Sequence, residues 1–363
     1  MTTSSPIEPL DTATSTRSEA HDVGRAKEPA PTTPGLASMR AIVQDEYGAA
    51  AEDVLRLEEV ARPTIGDADV LLRVRAASVD RGTWHLMAGL PYPIRVAGFG
   101  LRAPKALNPG RSVAGTIESA GKDVTGFRPG DEVYGTCEGS FAEYARAQPS
   151  TLAPKPVNLS FEQAAAVPVS AMTALQAVRN HGQVRAGHNV LVVGASGGVG
   201  TFAVQIAKAF DAEVTGVCST AKADLVRALG ADHVIDYTRD DFADGDHRYD
   251  VILDIGGNRR LSHLRRALTP RGRLVIVGGE TDGRLLGGSD RQVRAQLLSP
   301  LVSQKLGTFI ASENGDDLMV LRDLIEAGKV SPAVDRTYPL SEAAAAIRYL
   351  RDGHARGKVV IGV

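Results

Sequence analysis

Cysteine is nearly missing from this chain of 363 residues: Cys137 and Cys218 are the only two. Two thiols cannot build a disulfide framework, and they suit a reducing, cytoplasmic compartment. Charge of one sign is lacking as well. Lys and Arg number 41 against 43 Asp and Glu, a formal net charge of -2, so there is no basic footprint for nucleic acid or an anionic membrane. Nor does any apolar run reach the roughly 18 residues that a bilayer demands. The nearest, residues 164–178, is broken by Pro168 and Ser170. The eight histidines stand singly, and no four cysteines offer structural-zinc spacing.

Residues 1–38 hold 12 Ser/Thr and 5 Pro with hardly a large apolar side chain. Such a segment buries too little to offset the entropy of ordering, so a disordered extension is expected there. It lacks the apolar centre of a secretory signal, and its scattered acids speak against a transit peptide. From Met39 to residue 165 the texture is short strands and turns: residues 39–45, 70–76, 112–118, 132–134 and 141–145, punctuated by Gly66-Asp67, Asn108-Pro109-Gly110 and Pro129-Gly130-Asp131. After residue 165 strand and helix alternate. Strands are expected at residues 189–193, 213–217, 233–235, 251–253, 273–277 and 307–311, with later helices at 318–327 and 341–351 and a last strand at 358–363. That alternation predicts a doubly wound parallel sheet, giving an α/β protein of two domains.

The stretch on which this organisation turns is VLVVGASGGVG, residues 190–200. A β-branched strand runs into Gly194-Ala195-Ser196-Gly197-Gly198-Val199-Gly200, and then into a helix whose apolar residues Val199, Phe202, Ala203, Ile206, Ala207 and Phe210 share one face. Strand, glycine turn and helix bring unpaired N–H groups and a helix dipole to one point, which a pyrophosphate fills. A dinucleotide is therefore expected on these seven residues.

Taken with that turn, several further motifs make residues 39–363 resemble the medium-chain dehydrogenase/reductase superfamily, in its zinc-free quinone-oxidoreductase (zeta-crystallin-like) branch. They are Met39-Arg40-Ala41-Ile42-Val43, Ala77-Ser78-Val79, Arg128-Pro129-Gly130-Asp131-Glu132-Val133, Gly139-Ser140-Phe141-Ala142-Glu143-Tyr144, Leu229-Gly230-Ala231-Asp232-His233-Val234-Ile235-Asp236-Tyr237 and Gly353-His354-Ala355-Arg356-Gly357-Lys358. The resemblance implies a GroES-like β-barrel catalytic domain over 39–165, a Rossmann domain over 166–310 and a return to the barrel over 311–363. It also implies a substrate cleft between the domains and a homodimer formed edge to edge through residues 307–311.

Zinc-using members of the superfamily carry a Cys and a Gly-His-Glu turn. Here those places read Val79-Asp80-Arg81 and Gly110-Arg111-Ser112, and no bound metal is expected. Without a Lewis acid, oxidation of an unactivated alcohol is unfavourable, whereas hydride addition to a quinone or enone leaves charge on a conjugated oxygen that donors and water can stabilise.

NAD enzymes of this architecture end the second strand in an acid. That place holds Val217, followed by Cys218-Ser219-Thr220-Ala221-Lys222, which favours NADPH with Ser219 and Lys222 at its 2′-phosphate. The same hydroxyls also suit a helix cap.

By the same resemblance Tyr237 lies on the adenosine side and Thr173 against the nicotinamide. Asp80 and His85 stand where relatives carry Asn and Tyr, and Tyr92 stands near a second Tyr of the quinone pocket. Gly278-Gly279 and Lys358 are further cofactor candidates, and Trp84 is either an aromatic wall or core. Tyr92, His85 or water supplies the proton. The expected function is an NADPH-dependent reductase of quinones, enones or activated carbonyls. The alternatives are an alcohol/aldehyde oxidoreductase, an enoyl-thioester reductase, or a dinucleotide-binding protein without turnover. A short-chain dehydrogenase is set aside because no Tyr-x-x-x-Lys occurs.

Overall fold

The computed structural model describes Met1, residues 37–278 and residues 287–363. Apart from Met1, these residues belong to one compact unit, Leu36–Val363. The expectation for residues 1–38 falls almost wholly outside the described residues. One correction is available at its edge: Ser38 already belongs to a strand, Ser38–Val43, which pairs antiparallel with Arg56–Ala61.

Six strands make a wholly parallel sheet in the spatial order His233–Asp236, Glu213–Cys218, Asn189–Val193, Tyr249–Asp254, Leu268–Ile276, Lys305–Thr308. Numbered along the chain, the order is 3-2-1-4-5-6, the doubly wound arrangement. Its direction reverses between Asn189–Val193 and Tyr249–Asp254, so the ligand crevice opens beyond the carboxyl ends of those two strands. Val190 to Val193 are buried on both faces, as a central parallel strand requires.

The second sheet is mostly antiparallel. Val70–Val79 pairs with Ser112–Ala120 and Tyr144–Ala147, and Ser112–Ala120 with Glu132–Thr136. The C-terminal strand Lys358–Gly362 pairs antiparallel with Val70–Val79 and parallel with Val334–Pro339. This GroES-like half therefore takes its last strands from the end of the chain. Val70–Val79 alternates at its start and is buried throughout its last four residues, where the returning strand covers it.

Between the two sheets lies the helix Pro168–Gln176, in which only Val169 and Thr173 escape burial. It packs on Gly198–Ala209 and on Gly315–Glu326. The expected apolar face of Gly198–Ala209 is present, but Thr201, Val204 and Gln205 are buried too, because the sheet covers one side and the helix 168–176 another. Phe202 and Ile206, with no exposed surface, each contribute about 2–3 kcal/mol by burial. Three expected strands shift. The one placed at 141–145 is Tyr144–Ala147, preceded by the buried loop residues Phe141 and Ala142. The one placed at 273–277 begins early, at Leu268. The one placed at 307–311 is Lys305–Thr308, so Ile310 is left exposed.

Candidate active site

The glycine turn is held by its neighbours through backbone alone. Gly194 and Ala195 donate to Val217 O at 3.1 and 3.0 Å, while Ile255 and Gly256 donate to Val193 O at 3.0 and 2.9 Å. Gly194 has φ of +86°, and a Cβ on Gly200 would stand 2.1 Å from Gly194 O. Neither position tolerates a side chain without the turn moving. Gly197 occupies the N-cap of the helix Gly198–Ala209 with no side chain capping it, so the first-turn N–H groups and the positive end of the dipole are left to a ligand. These residues fit the diphosphate of a dinucleotide.

Beside the turn is a cavity of about 150 Å³ lined by Val193, Gly194, Ser196, Val217, Cys218, Ser219, Lys222, Tyr237, Gly256, Asn258 and Arg259. Five of the sequence-chosen cofactor residues, Gly194, Ser196, Ser219, Lys222 and Tyr237, thus meet at one place. Gly256, Asn258 and Arg259 were not foreseen. The signal available for them was Gly256-Gly257 at the carboxyl end of a strand, the same signal that singled out Gly278.

Lys222 is not a freely solvated cation. Its ammonium donates to Gly353 O at 2.9 Å and Ala355 O at 2.7 Å, which leaves one of its three donor positions. Burial holds it below the ordinary lysine range, and Asp335 partly offsets this. Ser219 is the N-cap of the short turn Thr220–Lys222 but makes no side-chain cap bond, so its hydroxyl is not spent as a helix cap. Tyr237 is about half exposed.

Lys358 departs most from its expected place among phosphate ligands or surface cations. It is 1 % exposed, and its Nζ donates to Val79 O at 3.1 Å and Ser170 Oγ at 3.0 Å. It also crowds the glycine turn: a Cβ on Gly198 would lie 3.1 Å from Lys358 Cδ. The ammonium thus joins the barrel strand 70–79 to the helix 168–176 beneath the turn. Burial lowers its pKa, and the charge of Asp80 opposes that effect. Above it, Gly357 donates to Ser196 O at 3.0 Å, so the returning chain braces the turn directly.

The sequence-chosen catalytic residues lie at the start of the helix Arg81–Ala88, within it and shortly after it. Asp80 is the N-cap of the helix Arg81–Ala88, its Oδ1 accepting from Thr83 N at 2.9 Å. Its buried Oδ2 has no hydrogen-bond partner among the described residues. His85 Nδ1 lies 2.8 Å from Leu90 O, and its ring meets Trp84 edge-on at 5.0 Å. Tyr92 is 40 % exposed, with the Arg95 guanidinium 5.0 Å above its ring. Thr173 turns its Oγ1 back to Val169 O at 2.7 Å within its own helix. Gly278 packs on the loop after Tyr249–Asp254, where a Cβ would meet Ile255 O at 2.2 Å; Gly279 lies outside the described residues.

Two larger cavities meet at Arg111, one of about 310 Å³ and one of about 780 Å³. The smaller is walled by Thr83, Leu86, Met87 and Phe99, and neither is lined by Asp80, His85 or Tyr92. Arg111 forms a bidentate pair with Glu313, its Nε–H to Oε1 bond measuring 2.9 Å. Among the described residues no three His, Cys, Asp or Glu side chains converge on a metal position.

Comparison with known proteins decides the family. The model for the alcohol dehydrogenase GroES-like domain matches residues 66–157, and that for zinc-binding dehydrogenases matches residues 229–361. The chain is 34 % identical to the mitochondrial NAD(P)H oxidoreductase RTN4IP1 of Bos taurus over 92 % of this chain and 91 % of that protein. The chain belongs to the zinc-free quinone-oxidoreductase branch of the medium-chain dehydrogenase/reductase superfamily. It is also 33 % identical to the chloroplastic NADPH-dependent alkenal/one oxidoreductase of Arabidopsis thaliana, over 89 % of this chain and 79 % of that one. The quinone oxidoreductase of Coxiella burnetii superposes with a TM-score of 0.79 at 28 % identity, covering 90 % of this chain and all of the other. As a member of this branch the chain is an oxidoreductase that uses a nicotinamide cofactor. Among the described residues no helix is long and apolar enough to cross a membrane.

Proposed function

We propose that this protein is a zinc-independent, NADPH-dependent reductase of quinones, enones or similarly activated carbonyl compounds. One observation carries the choice of cofactor. Where an NAD enzyme places an acid, the second strand ends in buried Val217 and Cys218, and the adjoining cavity holds the Ser219 hydroxyl and the Lys222 ammonium instead. A 2′-phosphate meets a charge-assisted donor there and no carboxylate.

When bound, NADPH supplies the hydride. The chain's own part is to hold and exclude. The glycine turn and the helix 198–209 grip the diphosphate, Ser219 and Lys222 the 2′-phosphate, and Tyr237 flanks the adenosine, while Thr173 lies along the nicotinamide side. The apolar wall of Leu86, Met87 and Phe99 receives the flat acceptor. With neither His85 nor Tyr92 lining the cavity of Leu86, Met87 and Phe99, water delivers the proton to the oxygen that gains charge, and Asp80 orders the helix beside it. Arg111, in the turn where zinc relatives hold metal, is bound to Glu313, so positive charge there comes from a guanidinium.

A second copy of the chain is the proposed partner. Among the described residues the edge strand Lys305–Thr308 has one neighbour only, and Val293, Leu297, Leu301 and Ile310 are more than half exposed around it. An unpaired edge rimmed with apolar side chains calls for a covering strand. The two cysteines, both free and buried, support a cytoplasmic setting.

The decisive assay follows NADPH oxidation with quinones, enones and simple aldehydes, and NADP+ reduction with simple alcohols, each with and without chelator. The proposal expects turnover of quinones or enones that chelator leaves unchanged. Turnover confined to simple alcohols and aldehydes, or activity abolished by chelator, contradicts it.

A further inference from the structure

The wall of the cofactor cavity formed by residues 256–259 is built around a buried ion pair that the proposed chemistry does not use. Asp254, with no exposed surface, ends the strand Tyr249–Asp254. Its Oδ2 lies 2.7 Å from Nη1 of Arg291, whose side chain is 11 % exposed. Arg291 belongs to the helix Ser289–Leu298, on the far side of the crevice in sequence. The same guanidinium donates to Arg259 O at 2.7 Å and to Gly278 O at 3.0 Å. Asp254 in turn accepts from Gly257 N at 3.2 Å through Oδ1, and its main-chain oxygen accepts from Val277 and Gly278 at 3.0 and 3.2 Å.

One guanidinium and one carboxylate therefore tie together the carboxyl ends of two adjacent strands and a helix. The segment fixed at both ends, from Gly257 N to Arg259 O, carries Asn258 and Arg259 into the cavity. The preceding Gly256 N–H is held by Val193 O, one residue before the glycine turn. The sheet order explains why this wall matters. Ser219, Lys222 and Tyr237 follow the two strands on one side of Asn189–Val193, whereas residues 256–259 follow the strand on its other side. A nucleotide on the glycine turn is flanked by both groups. Desolvating two charges is costly, and one pair is retained here where an apolar pair of similar size would pack. Its hydrogen bonds all go to main chain of cofactor loops, which gives the charges a positioning task.

We propose that Arg291 and Asp254 are positioning residues that preform the adenosine-side wall at residues 256–259, so that they set cofactor affinity and leave the hydride-transfer step untouched. This rests on the nicotinamide-dinucleotide reading of the cavity. Because the proposed function gives the 2′-phosphate to Ser219 and Lys222, which follow a strand on the other side of Asn189–Val193, loss of this wall is expected to weaken NADPH and NADH alike, unlike the loss of a 2′-phosphate ligand.

The test is fluorescence titration of the full chain with NADPH and with NADH, for wild type, Arg291→Ala, Arg291→Lys and Asp254→Asn, beside the turnover rate at saturating NADPH. Arg291→Ala is expected to raise both dissociation constants by roughly tenfold, the cost of ordering a loosened wall on binding, with the NADPH/NADH ratio unchanged and the saturated rate within about twofold of wild type. Arg291→Lys, which keeps the charge, recovers part of the affinity. If Arg291→Ala does not fold, Arg291→Lys and Asp254→Asn carry the same expectation in weaker form. Wild-type affinity in folded variants, or a fall in saturated rate with unchanged affinity, overturns the proposal. Failure of the wild-type protein to bind either cofactor sinks the functional reading instead, and the proposal with it.

Discussion

The two ends of the crevice are built by different means. At the proposed cofactor end the diphosphate cradle is main chain: Gly194, Gly200 and the first turn of a helix, held by hydrogen bonds to Val217 O, with the side chains of Ser219, Lys222 and Tyr237 beside it. The proposed substrate end is walled by side chains on less regular segments, around the helix Arg81–Ala88 and the bent stretch Arg95–Phe99 with its left-handed Gly98. A backbone cradle admits few residue types and one geometry, so it is rigid and readable. A side-chain pocket admits many solutions. The contrast places cofactor recognition in the scaffold and leaves acceptor choice to the loops.

The sharpest way to break this contrast is Gly200→Val. Its side chain would enter the 2.1 Å gap to Gly194 O, so cofactor binding is expected to vanish in a titration; a variant that binds NADPH normally would show that the turn is not the cradle. Next comes Lys222→Ala. Loss of one charge-assisted contact is expected to weaken NADPH by about 10- to 150-fold and to leave NADH unchanged. Equal weakening of both would mean that Lys222 acts only by holding Gly353 and Ala355.

A smaller effect separates the fully buried Lys358 from the half-buried Lys222. Burial lowers the Lys358 pKa below its ordinary 10.5, so between the lowered value and 10.5 the unfolded chain binds the more protons, and stability rises with pH across that window. The rise is at most about 1.4 kcal/mol per pH unit. Denaturant melts of Lys358→Met should lack that component, and an unchanged alkaline slope would refute the assignment. The smallest change is expected at the substrate end. Tyr92→Phe and His85→Phe should each lower the saturated rate by less than about threefold, whereas a true side-chain acid is worth about 100-fold or more. A hundredfold loss in either would return proton delivery to that residue.

What could be read from the residues follows the same division. Gly194 to Gly200 was legible because strand, turn and helix each leave their own pattern; Ser219 and Lys222 were chosen from the missing acid at the end of the second strand, and Tyr237 from the family resemblance. Arg259 and Arg291 were not, since their roles come from a loop and a helix that meet only in three dimensions. Asp80 was picked out by resemblance, where relatives carry Asn; an Asp three residues before Thr83 at a helix start is also an N-cap, and its Oδ1 serves as one. The strand Arg56–Ala61 went unseen because its residues are mainly exposed and its charged and apolar residues do not alternate. Phe141 looked like strand but is buried in a loop, its N–H and carbonyl taken by Pro109 and Ile42. Lys358 was taken for a cofactor contact because nothing in GKVV tells that the returning strand sits inside a sheet, between Val334–Pro339 and Val70–Val79, with its first side chain turned to Ser170.

The central claim, that the cavity beside the glycine turn is made for a 2′-phosphorylated dinucleotide, is tested most directly by titrating the unaltered protein with NADPH and NADH under one set of conditions. NADPH is expected to bind at least about tenfold more tightly, as one charge-assisted contact provides. Equal affinities, or tighter binding of NADH, would contradict it.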